Sequence, residues 1–174
     1  RAWLRQAPLR LVGPNCLGWI RPARRLNLTF APGMPAAGPL GFVSHSGALA
    51  TAILDWSRDH RLGFSLLASL GNQADVDETA VIEALADDPE TRVILAYLEG
   101  VADGRAFFRT LRAASARKPC VLMKAGRTLE GARAVTSHTG ALAGSDRAFD
   151  AAVRQAGALR VTTLEELFDV ARAL

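Results

Sequence analysis

Apolar residues fall into five short runs, each followed by a stretch of helical periodicity. Leu40–Val43, Phe64–Leu70, Val93–Leu98, Cys120–Lys124 and Ala158–Val161 read as strands. They are apolar nearly throughout, and such strands need cover on both faces. Helical patterns alternate with them. Leu49, Ala52, Ile53 and Trp56 form the first, and Val81, Ile82 and Leu85 the second, ended by Pro89. Phe107, Phe108 and Leu111 follow, then Phe149, Ala152, Val153 and Ala156, and finally Leu164, Leu167, Phe168 and Leu174. Asp103 has the place of an N-cap, and Thr163 with Glu166 has capping-box spacing.

Single helices between apolar strands suit right-handed crossovers. Five such units predict an α/β fold, a doubly wound parallel five-stranded sheet that is flavodoxin-like by strand number. The pattern is less regular before residue 38. Arg1–Gln6 reads as the end of a helix and Leu9–Val12 as a short strand running into Gly13-Pro14-Asn15-Cys16-Leu17-Gly18. Residues 19–39 are rich in proline, glycine and arginine, with Leu26, Leu28 and Phe30 alternating as in an edge strand. The expected division is therefore 1–37, the remnant of a preceding domain with its linker, and 38–174, one α/β domain.

Composition changes this picture little. The 174 residues are 49% hydrophobic and 22% charged, with no long apolar run and no signal-peptide pattern. A membrane protein is thus not expected, and the cytoplasm is the default location. The net charge is +4, but apart from Arg21, Arg24 and Arg25 the arginines are scattered and not interleaved with aromatics. That argues against a nucleic-acid surface and leaves an anionic small ligand or an acidic partner open. Cys16 and Cys120 lie far apart, with no spacing for a disulfide framework or a metal site.

In doubly wound sheets ligands bind at the carboxyl ends of the strands. The unusual polar stretches fall there: Ser44-His45-Ser46-Gly47, Gly71–Asp75, Glu99-Gly100 and Gly126–Gly144. The first is a strand-to-helix turn suited to phosphate, although serine is also an ordinary N-cap. The last holds His138 among small residues, Thr139 and Gly140 included, just before a helical pattern. On spacing alone a surface loop with an exposed imidazole is the simpler reading. The convergence of four loops on one edge favours a histidine nucleophile towards phosphorus. Glu99 is read two ways, as an acid that orients that imidazole or as a strand-end acid facing solvent. Asp75, Asp77 and Glu78 read as helix-start acids. Cys16 is read as a reactive thiol or, more simply, as structural; Cys120 reads as core and His60 as solvent-facing. His45 rivals His138, but it stands at a helix start, where the dipole disfavours a cation.

Taken together, Gly13–Gly18, the Ser-His-Ser-Gly-Ala turn at 44–48, Ser69–Asp77, Tyr97-Leu98-Glu99-Gly100 and Ser137–Gly144 carry a resemblance over almost the whole chain. The ordered set is similar to the NDP-forming acyl-CoA synthetases, meaning ADP-forming acetyl-CoA synthetase and, more distantly, the succinyl-CoA synthetase alpha subunit. The resemblance implies that His138 is transiently phosphorylated and that Glu99 hydrogen-bonds and orients it. Ser44, His45, Ser46 and Gly47 would receive the phosphohistidine, with Thr139 and Gly140 also holding phosphate. Asn15 and Cys16 would lie near the thiol end of coenzyme A. The implied reaction takes acyl-CoA, phosphate and ADP to carboxylate, coenzyme A and ATP through an acyl phosphate, and is reversible.

The same resemblance implies a coenzyme A-binding domain before Arg1 and an ATP-grasp domain or subunit carrying ATP or ADP with magnesium. It also implies an oligomeric full-length protein. The chain would then be a central catalytic fragment, inactive by itself, with more protein following Leu174. One departure is His45, where the family usually has glutamine or arginine. A second reading is an acyl-CoA-sensing regulatory domain of a GNAT-type lysine acetyltransferase, which forms no ATP. A third, a flavin binder, lacks aromatic residues in the Gly71 and Gly126 loops to stack on the ring.

Overall fold

The computed structural model describes residues 9–126 and 145–174. Its strands are β1 (Gly18–Arg21), β2 (Leu26–Thr29), β3 (Ala36–Ser44), β4 (Gly63–Ser69), β5 (Val93–Leu98), β6 (Cys120–Lys124) and β7 (Leu159–Val161). Its α-helices are α1 (Gly47–Asp59), α2 (Glu78–Asp87), α3 (Gly104–Ser115), α4 (Asp146–Gln155) and α5 (Leu164–Ala173).

All seven strands form one sheet in the order β2-β1-β4-β3-β5-β6-β7. The five strands from β3 to β7 pair in parallel. The chain runs from β3 outwards to β4, then back across to β5, β6 and β7, as in a flavodoxin-like fold. The expected plain five-stranded parallel sheet is corrected in one respect: β1 and β2 extend it as an antiparallel edge, β1 pairing with β4 through Gly18↔Ser69, Trp19↔Ala68 and Ile20↔Leu67. A short 3₁₀ turn, Pro22–Arg24, joins the two edge strands, closed by Arg25 in the left-handed region. The proline and arginine run hid β1, because only Ile20 of its residues is fully buried.

Leu9–Val12 is not a strand. Its main chain meets the loop after β4 instead of a neighbouring strand, Val76 N–H donating to Leu11 O at 3.0 Å. The expected helix end at Arg1–Gln6 and most of the loop at Gly126–Gly144 lie outside the described residues.

Each sheet face carries its own core. On one face Ala50, Ile53 and Leu54 of α1 and Leu167, Phe168 and Ala171 of α5 cover Phe42, Phe64, Leu67 and Leu95. On the other, α2, α3 and α4 bring Ile82, Leu85, Phe107, Leu111, Phe149 and Val153 over Val43, Leu66, Ile94 and Leu122. Burial on this scale is the main favourable term of folding. An extra residue in β4, Ser65, stands between the pairs Leu40↔Phe64 and Gly41↔Leu66. This bulge lets Phe64 and Leu67 share a face although they are three apart. Ser65 Oγ is 2.6 Å from Thr91 Oγ1, which donates to Asp88 Oδ2 at 3.0 Å, so the irregular backbone is held by buried polar contacts.

Candidate functional site

The strand ends at Ser44, Ser69 and Leu98 stop at one level because their ladders are in register. The chain must turn away there, and the turns leave a cleft of ≈ 550 Å³ at the carboxyl edge. Asn15, Cys16, Ser46, Gly47, Asn72 and Glu99 line it, together with His45 and Phe30.

Its floor is the β3–α1 turn. Ser44 is fully buried; its Oγ accepts from Ser46 N–H at 3.1 Å and donates to Ser46 O at 2.9 Å. Ser46 is the N-cap of α1 and accepts from Leu49 N–H at 3.2 Å. That leaves the first-turn amides of Gly47 and Ala48, both at the cleft, without intrahelical acceptors. Unpaired amides and the positive end of the helix dipole favour an anion.

One wall comes from the segment before β1. Pro14 O accepts from Asn72 N–H at 2.9 Å, Gly13 O from Ala74 N–H at 2.8 Å, and Ser69 Oγ from Leu17 N–H at 3.1 Å. Asp75 receives Leu11 N–H at 2.8 Å and Arg10 Nε at 2.9 Å, and these bonds hold its carboxyl below the usual carboxylate range. Gly71 lies at the closest approach of the two segments, with φ +55°, where a Cβ would come within 2.1 Å of Asn15 O. Asn15 and Cys16 are thereby presented at the cleft. The Cys16 thiol is half-buried, 3.8 Å from Val12 O.

The opposite wall is the end of β5. The Glu99 N–H donates to His45 Nδ1 at 3.2 Å. The Glu99 carboxylate has no hydrogen-bond or ion-pair partner among the described residues, and Glu99 lines the cleft. Burial and the charge of Glu99 raise the Tyr97 phenol above its ordinary range, keeping it protonated. At the end of β6, Lys124 is only 2% exposed, with Nζ 3.4 Å from Ala125 O. Burial pulls its ammonium below the usual lysine range, against the opposing charge of Asp146.

Of the residues singled out by sequence, Asn15, Cys16, Ser44, His45, Ser46, Gly47 and Glu99 are brought to one place. His138, Thr139 and Gly140 lie outside the described residues. Asp77 is the N-cap of α2, accepting from Ala80 N–H at 2.8 Å, and Asp75 clasps the front segment. Glu78, read as a helix-start acid like them, is instead buried against His45, with Oε2 at 3.5 Å from Nε2. No local signal marks that pair, because the residues lie on different elements. His60 is exposed and stacks on Trp56 at 3.9 Å between ring centroids.

Comparison with known proteins adds independent information. The model of the succinyl-CoA ligase-like flavodoxin domain matches residues 37–174. An ADP-forming acetate–CoA ligase I of Archaeoglobus fulgidus is 49% identical over 95% of this chain and 24% of its own length. The alpha subunit of the ADP-forming acetate–CoA ligase I of Pyrococcus furiosus is 45% identical over 98% of this chain and 37% of its own length. Among solved structures, the dinucleotide-forming acetyl-coenzyme A synthetase 1 of Ca. Korarchaeum cryptofilum, in complex with phosphate and ADP, superposes with a TM-score of 0.88 at 41% identity. That match covers 92% of this chain and 35% of the other. The chain therefore spans about a quarter to just over a third of the length of these relatives.

Proposed function

The chain belongs to the NDP-forming acyl-CoA synthetase family, as its succinyl-CoA ligase-like flavodoxin domain, and we propose that it is the phosphohistidine-bearing domain of an ADP-forming enzyme. The observation that carries this reading is the meeting of a free helix N-terminus at Gly47 with the open carboxylate of Glu99 in one cleft.

In the proposed sequence a phosphate oxygen attacks the thioester carbonyl of acyl-CoA, and the coenzyme A thiolate leaves. The imidazole of His138 then attacks phosphorus, the bond from phosphorus to the acyl oxygen breaks, and the carboxylate departs. Finally an ADP oxygen takes the phosphoryl group from nitrogen, forming ATP. Glu99 accepts a hydrogen bond from the imidazole nitrogen that does not attack. The Gly47 and Ala48 amides, with Thr139 and Gly140, neutralise the phosphoryl charge. Asn15 and Cys16 border the thiol end of coenzyme A.

The remaining parts belong to the same proposal. Residues 1–37 are the remnant of a preceding coenzyme A-binding domain with its linker, of which β1 and β2 lie on the edge of this sheet; ADP and magnesium sit on an ATP-grasp domain or subunit, and the full-length protein is an oligomer. The enzyme works in the cytoplasm; among the described residues no helix is long and apolar enough to cross a membrane. The ligase names of the relatives favour this reading over an acyl-CoA sensor.

The test is labelling of the full-length protein by a radiolabelled phosphoryl donor. Label that is acid-labile and base-stable, and that disappears in His138→Ala, is the expected result. A His138→Ala protein that still takes up such label would sink the reading.

A further inference from the structure

We propose that His45 is a positioning residue, which sets the main chain of Glu99 while the buried Glu78 carboxylate fixes the orientation of its own ring. This rests on the function proposed above and goes beyond it, since it concerns how the acid is held and not what it does.

The sheet runs out of acceptors at this spot. The ladder between β3 and β5 continues as far as His45 N–H, which donates to Tyr97 O at 3.1 Å. The next amide on β5 facing that strand is Glu99 N–H. By then β3 has turned into α1, and Glu99 N–H does not bond the His45 carbonyl that a continued parallel ladder would offer. The His45 ring supplies the acceptor, Nδ1 at 3.2 Å, in the place of a strand carbonyl. Because Nδ1 accepts, the ring proton lies on Nε2. Nε2 faces Glu78 Oε2 at 3.5 Å, in side chains that are 8% and 2% exposed. Both atoms are buried and, among the described residues, have no hydrogen-bond partner, so this approach at ion-pair distance is the polar contact each has. Glu78 sits in the first turn of α2, where the helix dipole favours a carboxylate. The chain Glu78, His45, Glu99 thus ties three parts of the fold to the placement of one acid that lines the cleft. Misplacing such a group by about an ångström can cost a factor of about 10² in rate.

The experiment uses the full-length enzyme, with kcat and KM for acyl-CoA and phosphate and the rate of phosphohistidine formation in a single turnover. His45→Leu removes the acceptor at similar volume, whereas His45→Asn places an amide oxygen where Nδ1 stands. For His45→Leu we expect kcat and the phosphorylation rate to fall by about 10- to 100-fold, with KM within about twofold. His45→Asn should recover to within about threefold of wild type. A His45→Leu enzyme that keeps its kcat, or a His45→Asn enzyme as slow as His45→Leu, overturns the proposal. A second measurement needs no variant: hydrogen exchange resolved to single amides should find Glu99 N–H protected in the wild type. Rapid exchange there removes the bond on which the proposal stands, even if His45→Leu does not fold. A wild-type enzyme that forms no phosphohistidine overturns the functional reading itself, which is a different result from a competent wild type with an indifferent His45.

Discussion

Gly71 is the residue at which the cleft tolerates least. A methyl group there would lie 2.1 Å from Asn15 O and 2.4 Å from Pro14 O, both main-chain atoms, and φ is +55°. The left-handed conformation alone costs an L-residue about 1–2 kcal/mol, before any clash. Gly71→Ala is therefore expected to lower stability by at least about 2 kcal/mol, read as a lower midpoint in urea. A midpoint unchanged within error would show that the two segments can part freely. Gly104, at the start of α3, has nothing within 4 Å of its would-be Cβ. Alanine at 104 is the matched control, with stability unchanged or raised by up to about 1 kcal/mol.

Helix starts are the elements whose energetics can be read most directly. Asp103 caps α3, with Oδ1 accepting from Arg105 N–H at 3.0 Å and from Ala106 N–H at 2.9 Å. Asp103→Ala should cost about 1 kcal/mol, measured by thermal or urea unfolding, and a loss below a few tenths would mean that water replaces the cap at no cost. That cap and the Thr163–Glu166 capping box were legible in the sequence because both are local. So were β5 and β6, apolar runs bounded by turns on each side. What escaped the pattern depends on distant partners. Ala36–Pro39 falls in the proline- and glycine-rich stretch before the first apolar run, yet its Ala36 and Ala37 pair with Gly63 and Phe64. The Ser65 bulge has no sequence signature, and in α1 the buried face runs through Ala50 and Leu54 while Ala52 is exposed. The candidate site divides in the same way. Glu99 and the Ser46 turn stand out at strand ends, whereas the His45–Glu78 pair exists only once β3, β5 and α2 are side by side.

At the scale of the whole molecule, the front segment is fastened to the sheet twice: by β1 along β4, and by the main-chain bonds around Gly13 and Pro14 with the Asp75 clasp. The clasp is sensitive to acid. Arg10 and Leu11 N–H lower the Asp75 pKa from its ordinary 3.8, so its stabilising contribution is present above that value and is lost as pH falls through the depressed one. Pepsin should accordingly cut near residues 9–12 increasingly as pH drops below about 4, with Asp75→Asn cut already at the upper end of that range. Equal cleavage of both proteins at every pH would show that the clasp holds nothing. Around Gly13 and Pro14 that wall is joined through peptide groups, and side chains add Leu17 N–H to Ser69 Oγ at 3.1 Å and Asn15 Nδ2 to Asn72 Oδ1 at 3.2 Å. Asn15, at φ +54° and bonded to Asn72, is tied into the wall, whereas the Cys16 thiol reaches only Val12 O of its own segment, so Cys16 is the position at which a substitution leaves the bonds between the two segments in place. A point substitution there keeps the scaffold and changes only what it shows to the cleft.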